Sequence, residues 1–339
     1  MMSIDSLNIE KLGRYLELNI EGFKGLISAE KFSGGQSNPT YLLNATSGNY
    51  VLRSKPPGEL LKSAHAVDRE YRVIQSLANT DVPVAHALHL CEDEEISGSM
   101  FYVMSYEEGR IFWDPALSEL KKEQRQDYHD ELIRILAAIH DVDVETAGLS
   151  DYGRPGNYFE RQISRWTKQY QATETSSLEN MNTLIEWLPS NLPADDGQIS
   201  LIHGDFRFDN VIFDKTESSA LAVLDWELST LGHPLSDLAY YCMCLRLPAE
   251  GDVKGLAGKD RIALGLPEEE VVVKQYCELR NIPAIDNWPF YLAFSYFRMA
   301  SILQGVYKRG IDGNASNKNA LELGKLVEPL AKSAVELIR

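Results

Sequence analysis

The stretch LIHGDFRFDNVIFD, residues 201–214, decides both the fold and the chemistry predicted for this chain. An apolar entry leads into His203, Gly204 and Asp205, and Asn210 follows five positions after Asp205. A carboxylate can orient or accept the proton of a hydroxyl nucleophile, and an amide oxygen is a hard ligand for Mg²⁺. A loop with these residues therefore fits phosphoryl transfer to a hydroxyl group.

The following stretch, LAVLDWELSTLGHP (residues 221–234), reads as a buried strand that ends at Asp225. Twenty positions separate Asp225 from Asp205, which is enough chain for a hairpin that brings both acids to one site. Asp225 would then hold the metal ion that bridges the nucleotide phosphates. Either acid alone would read as a turn or helix-cap carboxylate, so the prediction depends on the whole set.

An earlier segment, FSGGQSNPTYLL (residues 32–43), has the pattern strand, glycine turn, strand. At Gly34 and Gly35 backbone N–H groups can approach phosphates with no side chain in the way. We predict that these glycines, with Gln36 and Ser37, contact the nucleotide. A tight turn alone would account for a glycine pair, so this signal is weak without the other motifs.

The next predicted strand, YVLRSKP (residues 50–56), carries Arg53 and Lys55. Residues two apart on a strand share a face, so either cation could reach the α- and β-phosphates. Glu70, in the helix that follows, could pair with that cation. The alternative is a glutamate on a solvated helix face.

The run FYVMSYEEGRIF (residues 101–112) ends a strand and enters the helical part of the chain. We expect the backbone from Ser105 through Tyr106 to Glu107 to bond an adenine edge, with Met104 behind it. The same run could serve as a plain interlobe linker, and the two interpretations are compatible.

The whole pattern predicts an α+β fold of two lobes. Residues 1–106 form a small antiparallel β-sheet lobe with one helix, preceded by a helical extension over 1–25. Residues 107–112 are the linker, and 113–339 form a larger, mainly helical lobe. A cleft between two such lobes is a natural ligand site.

Composition excludes several classes of protein. With 339 residues, 44% of them hydrophobic, the chain can bury a sizeable core, and no apolar run is long enough for a membrane span. A net charge of −17 argues against nucleic-acid binding. Four scattered cysteines and a start without an apolar signal segment favour a reducing cytoplasm. The sequence leaves the oligomeric state open, a homodimer included.

These motifs together resemble the aminoglycoside phosphotransferase (choline kinase-like) family, whose members share the protein-kinase fold. HGDFRFDN is similar to its HGDxxxxN catalytic loop, and LDWE to its version of the kinase metal-binding triplet. FSGGQSNPTYLL, YVLRSKPPG, GRPGNYF and LDWELSTLGHPLSDLAYY resemble, more narrowly, the kinase-like domain fused to acyl-CoA dehydrogenase in some eukaryotic proteins. The resemblance spans about residues 9–335.

The resemblance implies a role for each matching residue. Asp205 takes the place of the catalytic base, and Asn210 and Asp225 take those of the Mg²⁺ ligands. Arg53 falls at the position of the family's strand cation. Asp237 resembles an acid at a helix start that braces the catalytic loop.

The sequence departs from the family pattern at three places. The strand cation is an arginine with Lys55 nearby, and the glycine turn lacks the GxGxxG pattern. Arg207 stands where many relatives have histidine, and we include it among the catalytic residues. It could contact a phosphate, a carboxylate of the acceptor, or the loop backbone.

Two functions follow as hypotheses. The first is an ATP- or GTP-dependent, Mg²⁺-dependent kinase for a hydroxyl of a small molecule. Its acceptor would lie near residues 153–170 and be a hydroxyacyl thioester, another hydroxylated metabolite or, as a further alternative, an aminoglycoside. The second is a pseudokinase or regulatory module that binds nucleotide without transfer. A protein kinase fits less well, because Asp225 leads almost directly into the next helix.

Overall fold

The computed structural model describes residues 7–32, 38–56, 66–251, 253–315 and 319–339. The predicted nucleotide contacts Gly34, Gly35, Gln36 and Ser37 lie outside the described residues. The chain forms two compact units. Unit 1 comprises the described residues within Met1–Ile111 and Asn210–Leu228, and unit 2 those within Phe112–Asp209 and Ser229–Arg339. Residues 210–228, which follow the predicted linker, thus group with the strand-rich part, while the boundary near 107–112 stays a prediction.

Unit 1 contains a five-stranded antiparallel sheet of order β1-β2-β3-β5-β4. Its strands are β1 (Leu26–Lys31), β2 (Thr40–Ala45), β3 (Gly48–Ser54), β4 (Ala87–Cys91) and β5 (Phe101–Ser105). Its helices are α1 (Ile9–Asn19), α2 (Val67–Leu77) and the short α3 (Glu94–Ser97). Helix α3 begins at Glu94, because Asp93 caps it by accepting the Glu95 N–H at 2.9 Å.

The face of β3 on which each residue lies decides where Arg53 points. Leu52 is fully buried in a core that includes Leu12 and Leu16 of α1. Because side chains alternate along a strand, Arg53 faces the opposite side of the sheet. β3 pairs with β2 and β5 on its two edges, so this orientation is fixed.

A second small sheet completes unit 1. Strands β7 (Val211–Phe213) and β8 (Ala220–Val223) pair antiparallel. Phe213 also exchanges two backbone hydrogen bonds of 2.8 Å with Arg110. Trp226 follows β8, is buried, and donates from its indole N–H to the Val223 carbonyl at 3.0 Å.

Unit 2 is mainly helical. Its longer helices are α4 (Lys122–Asp141), α5 (Tyr158–Thr173), α6 (Glu179–Ser190), α7 (Leu235–Leu245), α9 (Glu269–Leu279), α10 (Trp288–Ile311) and α12 (Val327–Leu337), with short helices α8 (Arg261–Leu264) and α11 (Ala320–Leu323). Every residue of α7 is buried, and α10 packs against α5, α7 and α12. A two-stranded sheet joins β6 (Ser200–Ile202) to β9 (Thr230–Gly232). Among the described residues, no helix combines the length and apolar character that crossing a membrane requires.

Candidate active site

Arg53 lies at the centre of a carboxylate cluster in unit 1. Its Nε lies 2.7 Å from Glu70 Oε2, and its Nη2 lies 2.5 Å from Asp225 Oδ1. A longer contact of 3.9 Å reaches Glu227. The Arg53 side chain is only 12% exposed, so solvent screens these attractions weakly. One guanidinium therefore faces three carboxylates.

Glu70 holds the cluster to helix α2. It is buried and accepts hydrogen bonds from Asn38 Nδ2 at 2.7 Å and from the Tyr102 hydroxyl at 3.2 Å. Burial raises the pKa of Glu70, and the charge of Arg53 opposes that rise. Burial would lower the pKa of Arg53, but Glu70 and the other groups around the guanidinium, Asp225 and Glu227 among them, together raise it above its ordinary value. We treat the pair as ionised, because a guanidinium keeps its proton in proteins.

Lys55, the other cation expected from the sequence, lies just past the end of β3. Its Nζ lies 3.9 Å from Asp68, and its side chain is part-exposed. Its backbone N–H donates to the Met100 carbonyl at 2.9 Å. The helix glutamate Glu70 is therefore paired with Arg53.

Asp225 and Asn210 are coupled through the backbone of unit 1. The Leu224 N–H donates to the Asn210 carbonyl at 2.8 Å, which sets Asp225, the next residue, alongside Asn210. Asp225 has a φ of 62°, in the left-handed region that residues other than glycine adopt at a cost. Its side chain is 34% exposed, whereas Asn210 is buried. The backbone thus brings Asp225 and Asn210 to neighbouring positions, with Asp225 in a strained conformation.

The residues predicted to contact adenine lie at the end of β5 and just after it. Met104 is buried. The Ser105 N–H donates to the His86 carbonyl at 2.9 Å, and the Ser105 hydroxyl donates to Glu107 at 2.5 Å. Because the Ser105 N–H is already bonded within the sheet edge, a base would have to use the backbone at Tyr106 or Glu107.

In unit 2, Asp237 of α7 fixes the backbone that leads to Asp205. Its carboxylate accepts the His203 N–H at 2.6 Å and the Gly204 N–H at 3.0 Å. His140 Nε2 lies 3.5 Å from the same carboxylate. Burial would raise the pKa of Asp237, but the contacts from His140 and His203 hold it below its usual value. Gly204 has a φ of 84°, a conformation that favours glycine at this turn.

Asp205 itself is held from two sides. The Tyr240 hydroxyl donates to its Oδ1 at 2.5 Å. Arg207 Nε lies 3.1 Å from the same oxygen, and Arg207 Nη2 lies 3.3 Å from Asp209. Burial would lower the pKa of Arg207, yet Asp205 together with Tyr240, Asp209 and Cys244 raises it above its ordinary value. The Asp205 carboxylate is 21% exposed, so it is oriented and still reachable.

A comparison with family models decides the assignment. Residues 28–268 match the model of the phosphotransferase enzyme family. The chain belongs to that family. The resemblance expected from the sequence is confirmed.

Relatives of this phosphotransferase-family chain include a longer animal protein. Acyl-CoA dehydrogenase family member 10 of Mus musculus is 48% identical over 305 residues, which cover 90% of this chain and 28% of that protein. Family member 11 of Gallus gallus is 44% identical over 337 residues, covering 96% of this chain and 43% of that protein. The chain thus spans less than half the length of these curated relatives.

A solved structure shows the same fold. A crystal structure from Ralstonia eutropha, of a suspected aminoglycoside phosphotransferase, superposes with a TM-score of 0.90 at 47% identity and covers 98% of both chains. The α+β, protein-kinase-like fold class predicted from the sequence is therefore confirmed.

Within this phosphotransferase-family chain, the sequence pointed to most of the clustered side chains. Arg53, Glu70 and Asp225 meet in unit 1, and Asp205 and Arg207 meet in unit 2. Sequence reasoning missed Glu227, Tyr102, His140 and Tyr240. Tyr240 could have been found from the sequence, because it follows Asp237 by three positions on one helix and therefore shares its face.

The donor set in unit 1 is compatible with Mg²⁺. Among the described residues, no three histidine, cysteine or acidic side chains are arranged to hold a metal ion. Mg²⁺ does not need such a cage, because it commonly takes one or two carboxylates together with phosphate oxygens. Asp225 and Asn210 supply hard oxygen ligands. The Arg53 guanidinium is surrounded by three carboxylates, so the cluster keeps a net negative charge. These residues fit the ion.

A cavity of about 120 Å³ adjoins the loop that carries Arg207 in unit 2. It is lined by Phe112, Trp113, Pro115, Arg207, Phe208, Asp209, Tyr241, Cys244, Leu245, Val253 and Lys254. Most of this wall is apolar, with charges at Arg207, Asp209 and Lys254. Such a cavity can receive a small part of a ligand.

Proposed function

We propose that this chain is an ATP- or GTP-dependent, Mg²⁺-dependent O-phosphotransferase that acts on a hydroxyl group of a small molecule. The observation that carries the proposal is the fixed orientation of Asp205 in unit 2. Asp237 locks the backbone just before it, and Tyr240 and Arg207 hold the carboxylate. An acceptor hydroxyl that donates to Asp205 would be aligned for attack, and alignment is most of what phosphoryl transfer requires.

Unit 1 would bind the nucleotide. Asp225 and Asn210 would hold Mg²⁺, and Arg53 would contact phosphate oxygens. When bound, Mg²⁺ supplies charge neutralisation of the phosphates. Met104 and the backbone near Tyr106 would face the base. Since an arginine replaces the usual lysine as strand cation, contact with phosphate would be bidentate.

The acceptor class follows from the relatives. The proteins that share 44–48% identity are named as acyl-CoA dehydrogenase family members. A hydroxyacyl thioester or another hydroxylated metabolite is therefore our proposed acceptor. An aminoglycoside is the alternative suggested by the Ralstonia eutropha structure. The four cysteines are free and buried, which fits a reducing compartment such as the cytoplasm.

One observation favours a second candidate, a nucleotide-binding module without transfer. Arg53 is paired with Asp225 at 2.5 Å, so one of the proposed metal ligands is already neutralised by the proposed phosphate ligand. If that pair does not open, nucleotide would bind without a productively placed metal.

A thermal-shift titration tests the proposal. Wild type and Asp225→Ala are each titrated with ATP and with GTP, with and without Mg²⁺. A ligand that binds the folded state raises the melting temperature by mass action. We expect a Mg²⁺-dependent shift that Asp225→Ala abolishes. No shift with either nucleotide would contradict the proposal, and a shift without any transfer to hydroxylated acceptors would favour the second candidate.

A further inference from the structure

Arg298 of α10 is a buried cation that lacks an acidic partner. The residue is only 7% exposed. Within the part of the chain that the structure describes, no carboxylate forms an ion pair with its guanidinium, and no hydrogen bond engages it. Burying a charge without a partner is costly, so such a residue calls for an explanation.

Two aromatic rings surround this guanidinium in unit 2. Its central carbon lies 5.4 Å from the centre of the Tyr240 ring and 5.9 Å from that of the Trp166 ring. Arg165 lies 5.0 Å from the same Trp166 ring. Cation–π contacts of this kind offset part of the cost of burial. Two guanidinium groups nevertheless share one indole in a chain whose net charge is −17.

The same cluster adjoins the catalytic carboxylate. Tyr240, whose ring faces Arg298, donates its hydroxyl to Asp205 at 2.5 Å. The charges of Arg298 and Arg165 also act on a second tyrosine, Tyr158. Burial raises its pKa, while the charges of Arg298 and Arg165 oppose the rise. Arg298 therefore lies one tyrosine ring away from the carboxylate that is proposed to receive the acceptor hydroxyl.

We propose that Arg298, with Arg165 at the same Trp166 ring, binds an anionic group of the phosphate acceptor. The group is a carboxylate or a phosphate ester, since a guanidinium presents a planar pair of N–H donors that matches both. The inference rests on the proposed function, because it assigns the ligand to the acceptor of that reaction. An acceptor anion would supply the missing counter-charge, and Asp205 would meet a hydroxyl of the same molecule.

The proposal also sets a selectivity. A cationic acceptor would place like charges together beside Arg298 and be disfavoured. Arg298 would therefore favour an acidic hydroxylated metabolite over an aminoglycoside as the acceptor.

Binding of matched three-carbon probes tests this assignment without turnover. The probes are glycerate, glycerol 3-phosphate, neutral glycerol and the cationic amino alcohol serinol, measured by isothermal titration with wild-type protein. We expect either or both anions to bind at least about tenfold more tightly than glycerol and serinol. The carboxylate and phosphate arms identify which anion the site prefers. Equal binding of anions and glycerol, or no binding of any probe, would overturn the proposal.

Four variants locate the effect. Arg298→Gln is expected to weaken anion binding by about 10- to 100-fold while leaving glycerol unaffected. Arg298→Lys keeps the charge but loses the planar fork, so it should weaken the anion less. Arg165→Gln, at an exposed position, is expected to cost a few-fold and cannot disturb the core. Arg14→Gln removes an equally charged surface group that is 77% exposed and should change nothing.

The design separates this inference from the proposed function. Anion binding is measured without nucleotide, so it can succeed even where phosphoryl transfer is absent. Conversely, Mg²⁺-dependent nucleotide binding together with a folded Arg298→Gln protein that binds anions like wild type would preserve the proposed function and overturn this subsite. A folded Arg298→Gln protein that has lost only stability, with unchanged anion preference, would show that Arg298 is purely structural.

Discussion

The two units each place an arginine against carboxylates, and the clusters differ in what surrounds the arginine. In unit 1, Arg53 faces Glu70 and Asp225 at 2.7 and 2.5 Å, with Glu227 further away. In unit 2, Arg207 faces Asp205 at 3.1 Å and Asp209 at 3.3 Å. A tyrosine hydroxyl donates to the key carboxylate in unit 2, whereas Asp225 in unit 1 accepts from the Arg53 guanidinium.

This difference indicates two different tasks. Three carboxylates around one guanidinium leave an excess of negative charge, which suits a divalent cation. A single carboxylate fixed by a hydroxyl and a guanidinium is an oriented acceptor of a hydrogen bond. The comparison therefore predicts that damage to unit 1 weakens nucleotide binding and that damage around Asp205 slows chemistry.

The largest expected effect comes from Asp205→Asn. The substitution keeps size and removes the charge, so kcat should fall about 10³-fold while the nucleotide Kd stays within about twofold. Steady-state kinetics and a nucleotide titration measure the two quantities. Glu70→Gln is the matched change in unit 1, and it should raise the nucleotide Kd more than it lowers kcat. Wild-type turnover in Asp205→Asn would refute the assignment.

The next effect concerns stability. Asp237→Asn replaces a buried carboxylate that accepts hydrogen bonds from two backbone N–H groups. One of its two oxygens becomes an NH₂ group, which donates a hydrogen bond and cannot accept one. We expect the free energy of unfolding to fall by about 3 kcal/mol in urea denaturation. Glu70→Gln should cost less, because Asp225 still pairs with Arg53. If the two variants lose the same free energy, the backbone of the catalytic loop is not specially dependent on Asp237.

The same residues show how much of the candidate site could be predicted from the sequence. Strand alternation predicts that Arg53 and Lys55 share a face, and Glu70 in the following helix is a candidate partner for either cation, so the sequence does not choose between the two. Asp205, Asn210 and Asp225 were predicted because their chemistry is concentrated in one short stretch. Arg298 was not, because it lies far along the chain and reaches Tyr240 and Trp166 only through the packing of α10. Contacts between distant helix faces leave no local pattern.

A smaller expected effect is the pH dependence of the free energy of unfolding, which arises from buried histidines of unit 2. Burial lowers the pKa of His129 to about 4, and the ring contacts the Tyr241 hydroxyl at 3.0 Å and the Pro115 carbonyl at 3.1 Å. Between the unfolded pKa near 6.5 and about 4, the unfolded chain binds a proton that the folded chain does not. Stability therefore falls as pH falls, by about 2 kcal/mol from pH 7.5 to 5.

Urea denaturation at several pH values measures that slope, and His129→Gln should remove most of this contribution. Burial also lowers the pKa of His140, which adds a slope of the same sign that the variant keeps. An unchanged slope in His129→Gln would show that other groups control the acid sensitivity of unit 2.

The smallest expected effect, a decrease in kcat, tests the difference between the two units most directly. Tyr240→Phe removes the hydroxyl that holds Asp205 and keeps the ring that faces Arg298. One hydrogen bond to a charged group is worth roughly a factor of ten, so kcat should fall about tenfold with little change in nucleotide Kd. The decrease is smaller than for Asp205→Asn because Arg207 still contacts the carboxylate.

Tyr241→Phe is the matched control, since it deletes a hydroxyl from the adjacent residue of the same helix. That hydroxyl bonds His129 and does not touch Asp205, so its loss should lower stability and leave kcat within about twofold. Equal losses of kcat in the two variants would mean that both hydroxyls act through the packing of α7. A loss confined to Tyr240→Phe would show that unit 2 contributes an oriented carboxylate, whereas unit 1 contributes charge.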